Sequence, residues 1–246
     1  MQFKDRVVLV TGASRGIGRA IAICFAKEGA KVVINYTNSK SLADSLVAQI
    51  NKLGTKAISV KCDVSKEDEV KKMVAITIKT FGKLDILVNN AGIVFDVPFP
   101  KKTLDQWRRT FDVNLAGMFL CCKYVANQMK KQKAGRIINM ASTSGMNVFS
   151  PESIDYNATK AGVINFTETL AKTLAPDILV NCVAPGWVDT DMNKNLPKGY
   201  IKSEKEKIYI KRWASPEEIA KVVLFLASDD AGYINGTVIK VDGGYG

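Results

Sequence analysis

A tyrosine and a lysine four residues apart, Tyr156 and Lys160 in Tyr156-Asn157-Ala158-Thr159-Lys160, form the pair in this chain best suited to proton transfer. On a helix, positions i and i+4 share a face, and an ammonium beside a phenol favours the phenolate. A tyrosine so placed can donate or accept a proton. Tyr36 and Lys40 repeat the spacing, so it acquires meaning only from its surroundings. Those include residues 11–18, Thr-Gly-Ala-Ser-Arg-Gly-Ile-Gly. Gly12, Gly16 and Gly18 lack side chains at a tight turn, letting backbone amides approach a pyrophosphate at a helix N-terminus.

The chain contains no histidine, which removes Ser-His-Asp and Cys-His catalysis and the commonest catalytic zinc arrangements. Its five cysteines, Cys24, Cys62, Cys121, Cys122 and Cys182, show no Cys-x-x-Cys pairing and fall in apolar segments. They read as small buried hydrophobes, with no disulfide framework and no metal site. A net charge of +11 raises the question of nucleic acid. The lysines are spread over 66–79, 123–133 and 194–211 with no aromatic-interleaved strand or recognition helix, so no nucleic-acid partner is expected. An anionic small ligand or acidic partner suits the same charge.

The proton-transfer pair needs a frame, and the 246 residues supply one large enough for a packed core, with 47% hydrophobic content. No linker-like stretch or fixed-period repeat divides the chain, so 1–246 is expected to be one domain. No signal peptide and no apolar run of about 18 residues is visible; a cytoplasmic protein without membrane contact is expected. Short β-branched runs at 7–10, 31–34, 57–62, 84–88, 136–140, 179–183 and 238–241 alternate with helical stretches. That is the α/β pattern of a doubly wound parallel sheet of seven strands, with helices on both faces. Ser65 reads as a side-chain helix cap before Glu67 and Asp68, and further helices are expected near Thr103, Ser153 and Ser215, the last with Pro216 in its first turn.

In such a sheet the ligand lies beyond the carboxyl ends of the strands. The loops expected there are 11–18, 35–39, 63–64, 89–92, 141–145 and 184–186. The Gly-x-x-x-Gly-x-Gly spacing of Gly12, Gly16 and Gly18 resembles the short-chain dehydrogenase/reductase family, and the resemblance covers essentially the whole chain. It implies a Rossmann-type fold, oxidoreductase activity and a nicotinamide cofactor held by Ser14, Arg15 and Ile17 within the turn, by Asn35, Tyr36 and Thr37 after the second strand, and by Asp63 and Val64 flanking the adenine. Asn90, Ala91 and Gly92 would line the cleft, with Pro185, Gly186, Val188 and Thr190 holding the carboxamide. After the second strand no acid occurs before Asp44, whereas an Asp or Glu there would bind the ribose 2′-hydroxyl of NAD. Arg15 could instead face a 2′-phosphate. NADP(H) is therefore expected over NAD(H).

Four residues match the family's catalytic group: Asn114, Ser142, Tyr156 and Lys160. Hydride reduction of a carbonyl creates an alkoxide that needs a proton and charge stabilisation. The resemblance makes Tyr156 the proton donor, Ser142 the holder of the substrate oxygen, Lys160 a partner of both the phenol and the ribose hydroxyls, and Asn114 the carrier of a relay water. Ser144 is a second candidate hydroxyl; Ser142 is favoured because it directly follows the strand.

Residues 85–92, 184–190, 216–220 and 241–244 are most similar to the 3-oxoacyl-acyl-carrier-protein reductases, which implies a carrier-bound carbonyl substrate and a place in fatty acid biosynthesis. Lys130, Lys131, Lys133 and Arg136 are candidates for docking an acidic carrier, although 174–178 is short and lacks the basic residue expected there. Residues 93–102, rich in Phe, Val and Pro, look more like sugar or general alcohol dehydrogenases of the family. Residues 191–212 are expected to form a lid over the substrate. Apolar residues in 216–227 and 238–241 resemble elements that pack across subunits, implying a homotetramer. A non-catalytic NADP-binding sensor and a nucleic-acid-binding protein are the readings outside catalysis.

Overall fold

A computed structural model describes residues 1–148, 150–193 and 196–245. Chain order is β1 (Val7–Val10), α1 (Gly16–Lys27), β2 (Lys31–Tyr36), α2 (Lys40–Asn51), β3 (Ala57–Lys61), α3 (Glu67–Phe81), β4 (Ile86–Asn89), α4 (Leu104–Phe111), α5 (Gly117–Gln132), β5 (Gly135–Met140), α6 (Ile154–Leu174), β6 (Ile178–Pro185), α7 (Lys198–Lys207), α8 (Pro216–Ala227) and β7 (Val238–Val241). Among the described residues the strands form one seven-stranded parallel sheet in the order β3-β2-β1-β4-β5-β6-β7. The order reverses between β1 and β4, which opens a crevice at their carboxyl ends.

Successive residues of a strand point to opposite faces. Val8 and Val10 of β1 join the apolar cluster formed with α1, α2 and α8, while Leu9 joins the one formed with α3, α5 and α6. Burial on both faces is why the strands read as unbroken apolar runs and not as alternating ones. Phe25 of α1 is fully buried and packs edge-on against Phe3 at 4.9 Å, closing the bottom of the first cluster. Truncating it to alanine would cost about 3–5 kcal/mol.

Several boundaries differ from the sequence expectation, each for a local reason. β2 runs on to Tyr36 because the Asn35 amide finds partners inside the sheet, described below. β4 begins at Ile86, not at 84, since the Leu84 backbone is held by the Gln132 side chain at 3.1 and 2.9 Å. Thr103 and Ser215 cap α4 and α8 in reciprocal capping boxes. Ser65 does not cap α3: Lys66 is the cap residue without a side-chain bond, and the Ser65 hydroxyl goes to Asp63 at 2.7 Å. Ser153 precedes α6 as expected, but its hydroxyl is spent on Asp96.

Lys130, Lys131, Lys133 and Arg136 lie at the end of α5 and the start of β5. At about 3.3 Å per residue, the length of β5 separates them, within one chain, from the sheet edge where Tyr156 sits. No helix among the described residues is long and apolar enough to cross a membrane.

Candidate active site

The glycine turn is built against its neighbours. Gly12 has φ +61°, and a Cβ there would meet the Ala91 Cα at 2.9 Å; a Cβ at Gly18 would meet the Asn90 amide nitrogen at 2.5 Å. Only glycine fits both positions. Asn90 donates to the Thr11 and Gly12 carbonyls at 2.9 and 3.1 Å, and the Thr11 hydroxyl accepts from the Asn90 and Ala91 amides at 2.9 and 3.0 Å. The loop after β4 thereby clamps the turn after β1. Helix α1 starts here with no acid in its first turn and Arg15 exposed at its cap, a donor set suited to a phosphate group. Thr190 lies across from Gly16, 3.7 Å from where its Cβ would be, so the loop after β6 faces the turn across the crevice.

Three residues expected to touch the cofactor have buried side chains. Asn35 is 1% exposed and belongs to β2. Its carbonyl accepts from the Gly12 amide at 3.0 Å and its amide donates to the Cys62 carbonyl at 2.9 Å, so it braces the turn from below. Tyr36, the last residue of β2, is buried in the α1/α2/α8 cluster. The Val64 side chain is buried against Gly117, whose missing Cβ leaves it room. Thr37 is exposed and Ser14 nearly buried. The Tyr36/Lys40 spacing straddles a strand end and a helix start, and Lys40 pairs with Asp44 at 2.5 Å.

Asp63 accepts from the Arg109 guanidinium at 2.8 Å and from the Ser65 amide and hydroxyl. Burial works against its charge, but these bonds hold the carboxyl below its ordinary value. Val188 is buried; its carbonyl accepts from Asn193, while Gly186 donates to the Val241 carbonyl at 2.9 Å and leaves no room for a Cβ beside Asp242. Pro185 ends β6.

The four expected catalytic residues converge at the carboxyl edge of the sheet. Tyr156 and Lys160 lie one turn apart on α6. Lys160 is buried, donates to the Met140 carbonyl at 2.7 Å, and stands 5.3 Å from the Tyr156 ring centroid. Burial pushes its ammonium down to about 8. Ser142 follows β5 after Ala141; its hydroxyl accepts from the Ser144 amide at 3.1 Å and is near enough to the Tyr156 phenol to act on its proton. Desolvation pushes that phenol up to about 12; the Ser142 hydroxyl opposes the rise and the nearby Asp96 charge adds to it. Burial, and not the lysine as the spacing suggested, dominates the phenol in this arrangement.

Asn114 sits in a π-helical turn, 112–116, between α4 and α5. Such turns interrupt the helical ladder and cluster at functional sites. Its side chain accepts from the Ile93 amide at 2.8 Å and donates to the Ile93 carbonyl at 2.9 Å. The space beside Gly92 is bounded by Asn114 Oδ1 and Lys160 Nζ, 3.5 and 3.7 Å from the missing Cβ.

Some of the site gave no sequence signal. Trp187 stacks on Trp213 at 5.3 Å and meets Tyr200 of α7 edge-on at 6.0 Å. Glu204 of α7, 3% exposed, accepts from the Trp187 indole, the Tyr245 hydroxyl and Lys207. These contacts seat the segment expected to be a lid, of which Lys194 and Asn195 lie outside the described residues. Only an unusually buried acid on a lysine-rich helix could have marked the anchor, and burial is not legible in so polar a segment.

A family model described as enoyl-(acyl carrier protein) reductase matches residues 12–246. The 3-oxoacyl-[acyl-carrier-protein] reductase of Synechocystis sp. is 47% identical over 241 residues, 97% of this chain and 96% of the relative. Its counterpart from Staphylococcus epidermidis is 43% identical over 241 residues, 98% of each. A short-chain dehydrogenase from Burkholderia cenocepacia, solved in complex with NADP, superposes with a TM-score of 0.94 at 34% identity, covering 100% of this chain and 99% of that one. With a parallel sheet of this order, a glycine turn at its crevice and these relatives, the chain belongs to the short-chain dehydrogenase/reductase family and is an NAD(P)-dependent oxidoreductase acting on carbonyl and CH–OH groups.

Proposed function

We propose that the protein reduces a 3-oxoacyl group, carried as a thioester on an acyl carrier protein, to the 3-hydroxyacyl group with NADPH. The observation that carries this reading is that Tyr156 and Lys160 lie one turn apart on α6, beside the Ser142 loop, with Lys160 and Asn114 both reaching the Gly92 position. The relatives from Synechocystis sp. and Staphylococcus epidermidis are 3-oxoacyl-[acyl-carrier-protein] reductases. The bound nicotinamide supplies the hydride. Ser142 holds the carbonyl oxygen, and Tyr156 gives its phenolic proton to the oxygen as charge develops there. Lys160, held by the Met140 carbonyl, places a positive charge beside the phenolate that remains. Asn114 fixes the Ile93 backbone at the edge of the cleft and hands protons to the lysine through water.

NADPH over NADH is supported by exposed Arg15 at the cap of α1 and by the lack of a free acid after β2. Asp44, the first acid there, is engaged by Lys40 and by Ser59 at 2.8 Å. A homotetramer is proposed, with Phe225 of α8 and Tyr233, between α8 and β7, exposed; a monomeric mass in solution would overturn it. The test of substrate is a panel of acetoacetyl thioesters, carrier-bound acetoacetate, sugars and small ketones assayed with NADPH and NADH. Carrier-bound acetoacetate should give the highest kcat/KM. The negative charge of Asp96, near enough to act on the phenol, favours a second reading, a neutral hydroxylated substrate; preference for sugars in the same panel would establish that reading.

A further inference from the structure

Directly before the proton donor lies a buried ion pair with no role in the chemistry derived above. Asp155 is fully buried, and its Oδ1 accepts from Lys102 Nζ at 2.9 Å. The Lys102 side chain is itself only 4% exposed. The same ammonium donates to the Phe95 carbonyl, closing the 95–102 segment on itself. The other carboxylate oxygen accepts from the Thr110 hydroxyl of α4 at 2.7 Å. Burial works against the Asp155 charge, but Thr110, Lys102 and the Tyr156 backbone N–H outweigh it and hold the carboxyl below its ordinary value. Three parts of the chain thus meet on one carboxylate: the 95–102 segment, α4, and the first turn of α6.

The surrounding bonds reinforce this junction. The Val97 amide donates to the Glu152 carbonyl at 3.0 Å, and the Ser153 hydroxyl donates to Asp96. A buried ion pair is a poor source of stability, because desolvation of two charges largely cancels their attraction and apolar replacements of similar volume are often as stable. What such a pair supplies is direction: each charge accepts few geometries, and a carboxylate in the first turn of a helix is held by the helix end as well.

We propose that Lys102 and Asp155 are a positioning pair that fixes the first turn of α6, and with it the Tyr156 hydroxyl, against the 95–102 segment. The proposal rests on Tyr156 being the proton donor. Neither residue touches the reacting atoms. Their effect is on the turnover step, since a small misplacement of a reacting group is costly while the glycine turn that binds cofactor lies elsewhere in the crevice.

Full-length variants Thr110→Val, Lys102→Met, Asp155→Asn and the double variant Lys102→Met/Asp155→Leu test it, with kcat, NADPH Kd and melting temperature measured for each. The singles should lose kcat on the order of 10- to 100-fold, with NADPH Kd nearly unchanged. The double variant decides between positioning and mere stability. Parental melting with kcat still low sustains the proposal; recovery of kcat together with melting temperature overturns it. Should the double variant fail to fold, Thr110→Val, which removes one hydroxyl and no charge, decides instead: parental kcat would overturn the pair's role. Tyr156→Phe is the control for the underlying reading, because substantial activity in that variant refutes Tyr156 as proton donor whatever the pair does.

Discussion

Glu204 of α7 accepts a 3.0 Å hydrogen bond from the indole of Trp187, two residues beyond the end of β6. One buried carboxylate therefore joins α7 to the loop that faces the glycine turn. Tyr245 and Lys207 donate to it as well, at 2.6 Å each. Burial works to raise the Glu204 carboxyl, and these three donors outweigh it and lower it from 4.5.

Glu204→Gln turns an amide NH₂ toward groups that are already donors. About 1–3 kcal/mol of stability should be lost, and if α7 covers the substrate, KM should rise more than kcat falls as it loosens. A group whose folded pKa is depressed stabilises above its unfolded value and ceases to as pH falls through the folded one. The melting-temperature gap between parent and variant should therefore be full at neutral pH and close as pH drops below 4.5. A gap that persists in acid would refute the anchoring role.

Asn35→Asp isolates the brace beneath the glycine turn. The acceptor for the Gly12 amide is kept, but a carboxylate replaces the amide that donates to the Cys62 carbonyl at 2.9 Å. A buried charge facing a carbonyl is costly, so melting temperature should fall and NADPH binding weaken together. Unchanged melting with weaker binding would return Asn35 to direct cofactor contact.

Asn35 also shows where the sequence stopped being informative. Period and run length located the seven strands, and the glycine turn, the Ser142 loop and the Tyr156/Lys160 pair all stand at the sheet edge where strand order puts them. An asparagine at a strand end reads as loop because its side chain usually competes with the backbone; here the competing groups lie in β3 and the turn, distant in sequence. Lys102 and Asp155 are 53 residues apart, and Glu204 and Tyr245 are 41 apart. Such pairings leave no local period, so polar residues on polar segments read as solvated when they are buried partners.

Arg15→Ala tests coenzyme selection. If the guanidinium meets a 2′-phosphate, its removal costs charge-assisted hydrogen bonds of about 1.5–3 kcal/mol, or roughly 10- to 100-fold in NADPH affinity. NADH affinity should barely change. Equal weakening of both, measured by fluorescence titration, would remove Arg15 from selection and leave the missing acid after β2 as its only basis.

The two perturbed groups of the proposed proton-transfer pair set a pH dependence. With Lys160 pushed down to about 8 and Tyr156 up to about 12, the phenol keeps its proton across the working range while the ammonium is lost first. In the reductive direction kcat/KM, with cofactor and substrate both below saturation, should hold below pH 8 and decline above it. The decline reflects loss of the positive charge beside the developing phenolate, not loss of the acid. A profile flat to pH 10 would contradict this assignment.

Ser142 and Ser144 can be separated by the same chemistry. The Ser142 hydroxyl accepts from the Ser144 amide at 3.1 Å, so the backbone of Ser144, not its side chain, orients the hydroxyl proposed to hold the carbonyl oxygen. Ser142→Ala removes a donor aimed at the developing oxyanion, which typically costs about 10²–10³ in kcat. Ser144→Ala keeps the amide that orients Ser142 and should lower kcat only slightly. The discriminating measurement is kcat for both variants at saturating NADPH. A large loss confined to the Ser144 variant would reverse the roles, and the extended strand exit at Ser142 would then serve only to deliver the chain to the following turn.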